Sequence, residues 1–243
     1  MTQLNDWKAF ELFEREVAVL QSLSHAQIPS FLDYLKDDSG DTHYLVQEYA
    51  KGQSLKEKLD AGWSPSNDAI QNMGIQLLEV LTYLVQRNPP VVHRDIKPAN
   101  IMVDDALNVK LVDFGAAKDK MSSHTALGST IVGTYGYMAP EQFQGSASPQ
   151  SDIYAVGATL IHLLTGTSPS DLPHTRMKLD FSSYVSGDNP LATLLDKMVE
   201  PAVEDRFDSP ALLLEYMKNP QAWADAQKPR FPVQRGSQTG ALT

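Results

Sequence analysis

The sequence predicts an α+β chain in which one helix and a β-hairpin precede a larger, mostly helical lobe. Three features point there. Apolar residues recur at spacings of three and four over 7–23 and 64–86, the signature of helices with one buried face. Two β-rich runs, 31–35 and 44–49, flank the turn sequence Asp37-Asp38-Ser39-Gly40-Asp41. In mid-chain, short β signals at 91–92, 101–103 and 109–112 alternate with polar stretches, and helical patterns follow.

In the first helix Phe10, Phe13, Val17 and Leu20 form the stripe, and Ile28-Pro29 stops it. A short helix is expected over 54–59. Ser64-Pro65 then reads as a helix start, with Ile70, Met73, Leu77, Leu81 and Leu84 facing inward up to about Gln86. Residues 118–131 are polar and rich in Ser and Thr. The apolar run from Ile153 to Leu164 is far short of the ~20 residues of a membrane span and is broken by Gly157, Thr159 and His162, so it predicts a buried helix. Helices are also expected over 190–199 and 210–217. From Asn219 the periodicity is lost, and 234–243 is Gly, Ser, Gln and Thr with little else.

The 243 residues suffice for one large or two small domains, and a hydrophobic fraction of 42% supports a real core. A net charge of −10 argues against nucleic acid or an anionic membrane as main partner. With no cysteine there is no disulfide, thiolate nucleophile or cysteine-type zinc site, which fits a cytoplasmic protein. The first residues carry neither a basic start nor an apolar run, so no signal peptide and no membrane span are expected. The histidines show no metal-ligand spacing.

The chemistry is concentrated in His93-Arg94-Asp95-Ile96-Lys97-Pro98-Ala99-Asn100, followed by Asp113-Phe114-Gly115 and Ala139-Pro140-Glu141. An aspartate can orient and deprotonate a hydroxyl and a lysine can meet a phosphate. An asparagine and a second aspartate can hold Mg²⁺, a hard cation that takes oxygen ligands.

At these residues the chain resembles the eukaryotic-type (Hanks-type) serine/threonine protein kinases, in a compact, bacterial-looking form, from about Trp7 to Met217. A lone Asp-Phe-Gly is common by chance. The ordered set HRDxKPxN, DFG, GTxxYxAPE and SDxYxxG is not. The resemblance implies a protein-kinase-like two-lobed fold. Residues 1–49 would be an upper-lobe remnant, 50–218 the lower lobe with catalytic and activation loops, and 219–243 a disordered tail.

It also implies transfer of the γ-phosphoryl group of ATP, with Mg²⁺, to Ser or Thr hydroxyls of a protein substrate. Asp95 would receive or orient the hydroxyl proton and Lys97 would meet the transferred phosphoryl group. Asn100 and Asp113 would hold the metal. Glu48 and Ala50 would form the adenine hinge after Gln47, with Met102 beneath the ring, and Lys97 and Asp113 would also face the nucleotide. Thr134 would sit beside Asp95 and favour Ser/Thr substrates, and Lys97-Pro98 is of the serine/threonine rather than the tyrosine type. Arg94 would read a phosphate placed on Ser122, Ser123, Thr125, Ser129 or Thr130. Glu16 would be the helix glutamate that pairs with the ATP-binding lysine. His93, Phe114, Glu141, Asp152 and Arg206 would be structural, with Glu141 paired to Arg206 and Asp152 holding the backbone at 93–94.

The sequence departs from the family at its start. No GxGxxG occurs. Lys8, upstream of Glu16, lies two turns away on the same helix, about 12 Å along the axis, and cannot reach back to it. The expectations are an upper lobe reduced to a helix and a bare-edged hairpin, and weak Mg-ATP binding by the chain as written. The alternative to an enzyme is a pseudokinase or docking module that binds protein partners.

Overall fold

A computed structural model describes residues 2–3, 7–37, 42–115, 117–119, 134–186 and 189–227. Ser122, Ser123, Thr125, Ser129 and Thr130 lie outside the described residues.

The upper part is built on helix α1 (Trp7–Ser22) and a small antiparallel sheet. Strands β2 (Phe31–Lys36) and β3 (Thr42–Gln47) form the hairpin, with a register shift between Phe31 and Asp33. One expectation is corrected: the sheet has a third strand, β1 (Thr2–Gln3), paired to β3 through Thr2–His43 and Gln3–Thr42. A strand of two residues is too short to show an alternating pattern, so periodicity could not reveal it. The strand order β1-β3-β2 makes β3 central and covers part of the edge expected to be bare. The apolar stripe of α1 packs on this sheet. Phe13, Val17 and Leu20 are buried, and the Phe13 ring lies 5.8 Å from Tyr34 and 5.9 Å from His43. His43 is itself buried and hydrogen-bonded to the Tyr34 hydroxyl.

The chain then enters the larger lobe through β4 (Gln53–Ser54) and α2 (Leu55–Asp60). Ser54 caps α2 in a reciprocal box. Its hydroxyl accepts from the Glu57 N–H at 3.1 Å, and its own N–H donates to Glu57 Oε2 at 2.8 Å. Helix α3 (Asn67–Val85) begins two residues later than Ser64-Pro65 suggested. The true cap is Ser66, whose Oγ accepts from the Ala69 N–H at 3.2 Å, and Pro65 precedes it.

The predicted β signals become β5 (Val91–Val92), β6 (Ile101–Val103) and β7 (Val109–Leu111). Strands β4, β6 and β7 make one sheet, and β5 pairs with β8 (Lys118–Asp119). These short ladders hold both ends of each motif loop.

Helix α4 (Pro149–Thr165) is the central post of the lobe, buried from Ser151 through Ile161 on every side. A helix apolar all round must sit in a core. Helices α5 (Pro190–Met198) and α6 (Pro210–Lys218) pack around it and α3. A Cβ on Gly157 would stand 2.8 Å from Met198 Cβ, so only glycine lets α4 and the end of α5 approach this closely. Within 219–243, expected to be a disordered tail, Pro220–Gln227 forms a further helix, α7, and residues 228–243 lie outside the described residues. Trp223 anchors it against Phe207 and Tyr216, with ring centroids at 4.9 and 5.0 Å. A single aromatic anchor carries no periodic signal. Among the described residues no helix is long and apolar enough to cross a membrane.

Candidate active site

Asp95 stands in the loop between β5 and β6, and three side chains fix its carboxylate. Lys97 Nζ donates to Oδ2 at 2.6 Å, and Thr134 Oγ1 donates to Oδ1 at 3.0 Å. Asn100 Nδ2 donates to Oδ2 at 3.1 Å and to the Asp95 carbonyl at 2.8 Å. Lys97 also reaches Thr134 Oγ1 at 2.8 Å, which closes a ring of three groups. A carboxylate so held loses rotational freedom before any substrate arrives.

The loop backbone is held from below. Asp152, buried in the first turn of α4, accepts the His93 N–H at 2.7 Å on Oδ2 and the Arg94 N–H at 2.9 Å on Oδ1. Arg94 has φ of 73°, an uncommon state for a non-glycine residue, and these bonds hold it there. Burial raises the Asp152 pKa to about 6, opposed by the two backbone donors. His93 is fully buried and burial lowers its pKa to about 4, so its imidazole is neutral at pH 7. Its Nδ1 accepts from the Asp95 N–H at 3.4 Å, which leaves the proton on Nε2 to reach the Val112 carbonyl at 3.3 Å. The ring meets Phe114 edge-on at 4.7 Å. His93 thus connects the Asp95 loop to the Asp113 loop through the core.

Asp113, exposed and also at positive φ (65°), follows β7. The Val112 N–H donates to the Asn100 carbonyl at 2.9 Å, which sets Asp113 beside Asn100. Asn100 uses Nδ2 on Asp95, so its Oδ1 remains an oxygen donor. Two such oxygens suit Mg²⁺, which keeps several waters and shares substrate phosphates.

Glu16 on α1 comes to the same place. A Cβ on Gly115 would lie 3.3 Å from Asp113 Oδ1 and 3.4 Å from Glu16 Oε2. Burial first, and the Asp113 charge second, raise the Glu16 pKa to about 7, against a bond from the Phe114 N–H. Among the described residues no lysine or arginine pairs with it.

Glu48, expected as part of the adenine hinge, has its side chain engaged elsewhere. Its N–H donates to the Ser30 carbonyl at 2.8 Å and its carboxylate pairs with Lys110 at 2.9 Å, the Lys110 bond holding it below the usual carboxylate pKa. Lysine on β7 draws the side chain toward itself, so only the Glu48 carbonyl remains for a ligand. Ala50 follows in the chain, and Met102 is half-buried on β6 opposite Ser54.

Below the site, Glu141 meets Arg206 in a two-bond fork of 2.7 and 2.8 Å. The Arg206 side chain is 0% exposed and also donates to the carbonyls of Glu200, Gln150 and Pro201. Ser151 Oγ adds a 2.6 Å bond to Glu141. Gln142, which sequence reasoning missed, donates to the Arg94 carbonyl at 2.9 Å and so joins this segment to the Asp95 loop. No local pattern marks it, since its partner is 48 residues away.

Comparison with known proteins agrees with this geometry. A family model described as "Protein kinase domain" matches residues 2–217. Serine/threonine-protein kinase B of Synechocystis sp. is 35% identical over 226 residues, covering 87% of this chain and 38% of that protein. Serine/threonine-protein kinase PknA of Nostoc sp. is 35% identical over 221 residues, covering 86% and 38%. Serine/threonine-protein kinase PrkC of Bacillus subtilis is 37% identical over 168 residues, covering 69% and 25%. The chain belongs to the protein kinase family, of the bacterial Hanks type. It spans about two fifths or less of the length of these relatives.

Proposed function

We propose that this chain carries serine/threonine protein kinase activity, transferring the γ-phosphoryl group of ATP to a Ser or Thr hydroxyl of a protein. The observation that carries the reading is the Asp95 carboxylate fixed by Lys97, Thr134 and Asn100, with Asp113 held next to Asn100 through the Val112 bond.

Mg-ATP, when bound, would supply the γ-phosphoryl group, and ADP would leave as the bond to the β-phosphate oxygen breaks. Asp95 orients the acceptor hydroxyl and takes its proton as the oxygen attacks. A carboxylate is a weak base, so most of its contribution is positioning. Lys97, between Asp95 and Thr134, places a positive charge where the phosphoryl oxygens pass. Asn100 Oδ1 and Asp113 hold the metal. The Thr134 hydroxyl, on Asp95, narrows the space beside the base and suits an acceptor on a short side chain. The Glu48 carbonyl, Ala50 and Met102 contact adenine.

Arg94 is the reader of a phosphate on the 122–130 segment. Its Nε is buried without a hydrogen-bond partner among the described residues, which suits a phosphate oxygen. A cytoplasmic setting and a protein rather than nucleic-acid substrate complete the proposal.

The test is transfer of label from γ-labelled ATP to a generic protein substrate, with phosphoamino-acid analysis. Mg²⁺-dependent phosphoserine or phosphothreonine supports the reading. Mg-ATP binding without transfer to any protein contradicts it.

A further inference from the structure

A cavity of about 380 Å³ opens between α1 and the residues that join α3 to β5. None of the residues that hold Asp95 or Asp113 lines it. From α1 come Arg15, Val19 and Ser22, spaced at four and three and so on one face of the helix. From the other side come Arg87, Asn88 and Val91.

Its charge is of one sign. Arg15 and Arg87 line it, and among the described residues no carboxylate does. Arg87 follows the last turn of α3, where the helix dipole favours a cation, and this accounts for a charge at that place. It does not account for the state of the side chain. The Arg87 guanidinium lies over the Tyr83 ring, with Cζ 4.2 Å from the centroid, which restricts its orientation. Among the described residues it makes no ion pair, and its Nε is buried without a hydrogen-bond partner. Arg15 brings a second positive charge from the facing helix, and its field is felt as far as Arg94. Burial most, and Arg15 less, hold the Arg94 guanidinium below its ordinary pKa, against the pull of Asp152. Arginines gathered in this way repel one another until an anion stands between them.

The groups present select the ligand. A guanidinium restricted in orientation, with donors unused, matches an oxyanion that accepts two parallel bonds. A phosphate monoester carries about −1.5 to −2 charges and three acceptor oxygens, enough for two arginines at once. Ser22 and Asn88 are exposed and can donate to the remaining oxygen. Val19 and Val91 give an apolar wall for a carbon group beside the anion. The volume falls within the range of about 300–1,000 Å³ common for small-molecule sites. A peptide backbone finds little to hold here, because β5 already pairs through Val91 with Asp119 of β8. We propose that this cavity binds a small phosphate monoester, its phosphate held between Arg15 and Arg87 and its organic part against Val19 and Val91. Arg15 precedes Glu16 in α1, so the bound phosphate ties the helix that carries Glu16 to the lower lobe. This site stands independently of the kinase reading.

The experiment is calorimetric titration of the full chain with phenyl phosphate, without ATP or Mg²⁺, beside benzoate and benzyl alcohol. Phenyl phosphate should bind one to one with a Kd below about 1 mM. It should bind about tenfold more tightly than benzoate, the scale of one charge-assisted hydrogen bond, and benzyl alcohol should not bind. Arg87→Gln should weaken phenyl phosphate about tenfold, and Arg87→Lys should recover only part, since the charge returns without the fork. Ala18, exposed on α1, also lines the cavity. Ala18→Trp fills the space, leaves both arginines in place and should abolish binding. Lys97→Ala, in the Asp95 ring, should leave it unchanged.

No binding of phenyl phosphate at about 10 mM overturns the proposal. So does binding that survives Arg87→Gln and Ala18→Trp, or binding that is lost in Lys97→Ala. A phosphoserine peptide flanked by alanines that binds more tightly than phenyl phosphate would make the cavity a protein-docking point and overturn the small-molecule assignment.

Discussion

Arg206 grips Glu141 through both ends of its guanidinium, at 2.7 and 2.8 Å, with its side chain wholly removed from solvent. Every other donor direction of Arg206 ends on a backbone carbonyl, and its Cζ lies 5.0 Å from the centroid of the Tyr154 ring. A cation so placed tolerates burial only while its carboxylate is present.

Glu141→Ala is therefore expected to destabilise the fold by about 3–5 kcal/mol, since it leaves a buried, unmatched guanidinium. For a domain of this size that lowers Tm by on the order of 10 °C. Thermal unfolding followed by circular dichroism checks it. A shift below about 2 °C would mean that the pair is not carrying the segment.

The His93 environment gives a pH dependence with a definite sign. The unfolded chain titrates His93 near 6.5, and the folded chain near 4. Between those values the unfolded state binds the extra proton. The stability is thus fully present above about pH 6.5 and is lost as pH falls toward 4, by on the order of a few kcal/mol. Asp152, raised to about 6, acts in the opposite direction over part of the same window, so the contribution must be taken as a difference. The stability gap between the parent and His93→Leu, from urea unfolding at a series of pH values, should be flat above pH 7 and shrink below 6. A gap independent of pH would place the imidazole in solvent.

The lobe architecture was legible in the sequence because its signals are local. Stripes such as Ile70-Met73-Leu77 and the mostly apolar run of α4 each report burial without reference to distant residues. The site was legible in part for the same reason, because Asp95, Lys97 and Asn100 lie within six residues. What could not be read depends on distant partners. The strand Thr2–Gln3 is defined by Thr42 and His43, and helix α7 by packing on α5 and by Trp223 against Phe207 and Tyr216. Glu48 belongs to Lys110 rather than only to the hinge. Arg15 and Arg87 meet at one cavity from two distant parts of the chain, and nothing in the sequence around either marks it.

Glu16 supplies a second titration. Its folded pKa of about 7 exceeds the ordinary 4.5, because burial and the Asp113 charge disfavour the ionised form. The folded state holds the proton longer, so stability falls as pH rises from 4.5 to 7. Glu16→Gln should be more stable than the parent at pH 8, by at most about 3 kcal/mol, and the gain should vanish near pH 4.5. A variant less stable than the parent at pH 8 would mean that the carboxylate is compensated by a cation in solution.

The central claim is that Asp95, held by Lys97, Thr134 and Asn100, orients and deprotonates the acceptor hydroxyl. The most direct measurement is single-turnover transfer of the γ-phosphoryl group to a Ser-containing protein by Asp95→Asn beside the parent. Asparagine keeps the shape and removes the charge. The predicted result is a rate lower by roughly 10²–10⁴, the range for a positioned acid–base group, with unchanged thermal stability. Transfer within about twofold of the parent would contradict the claim.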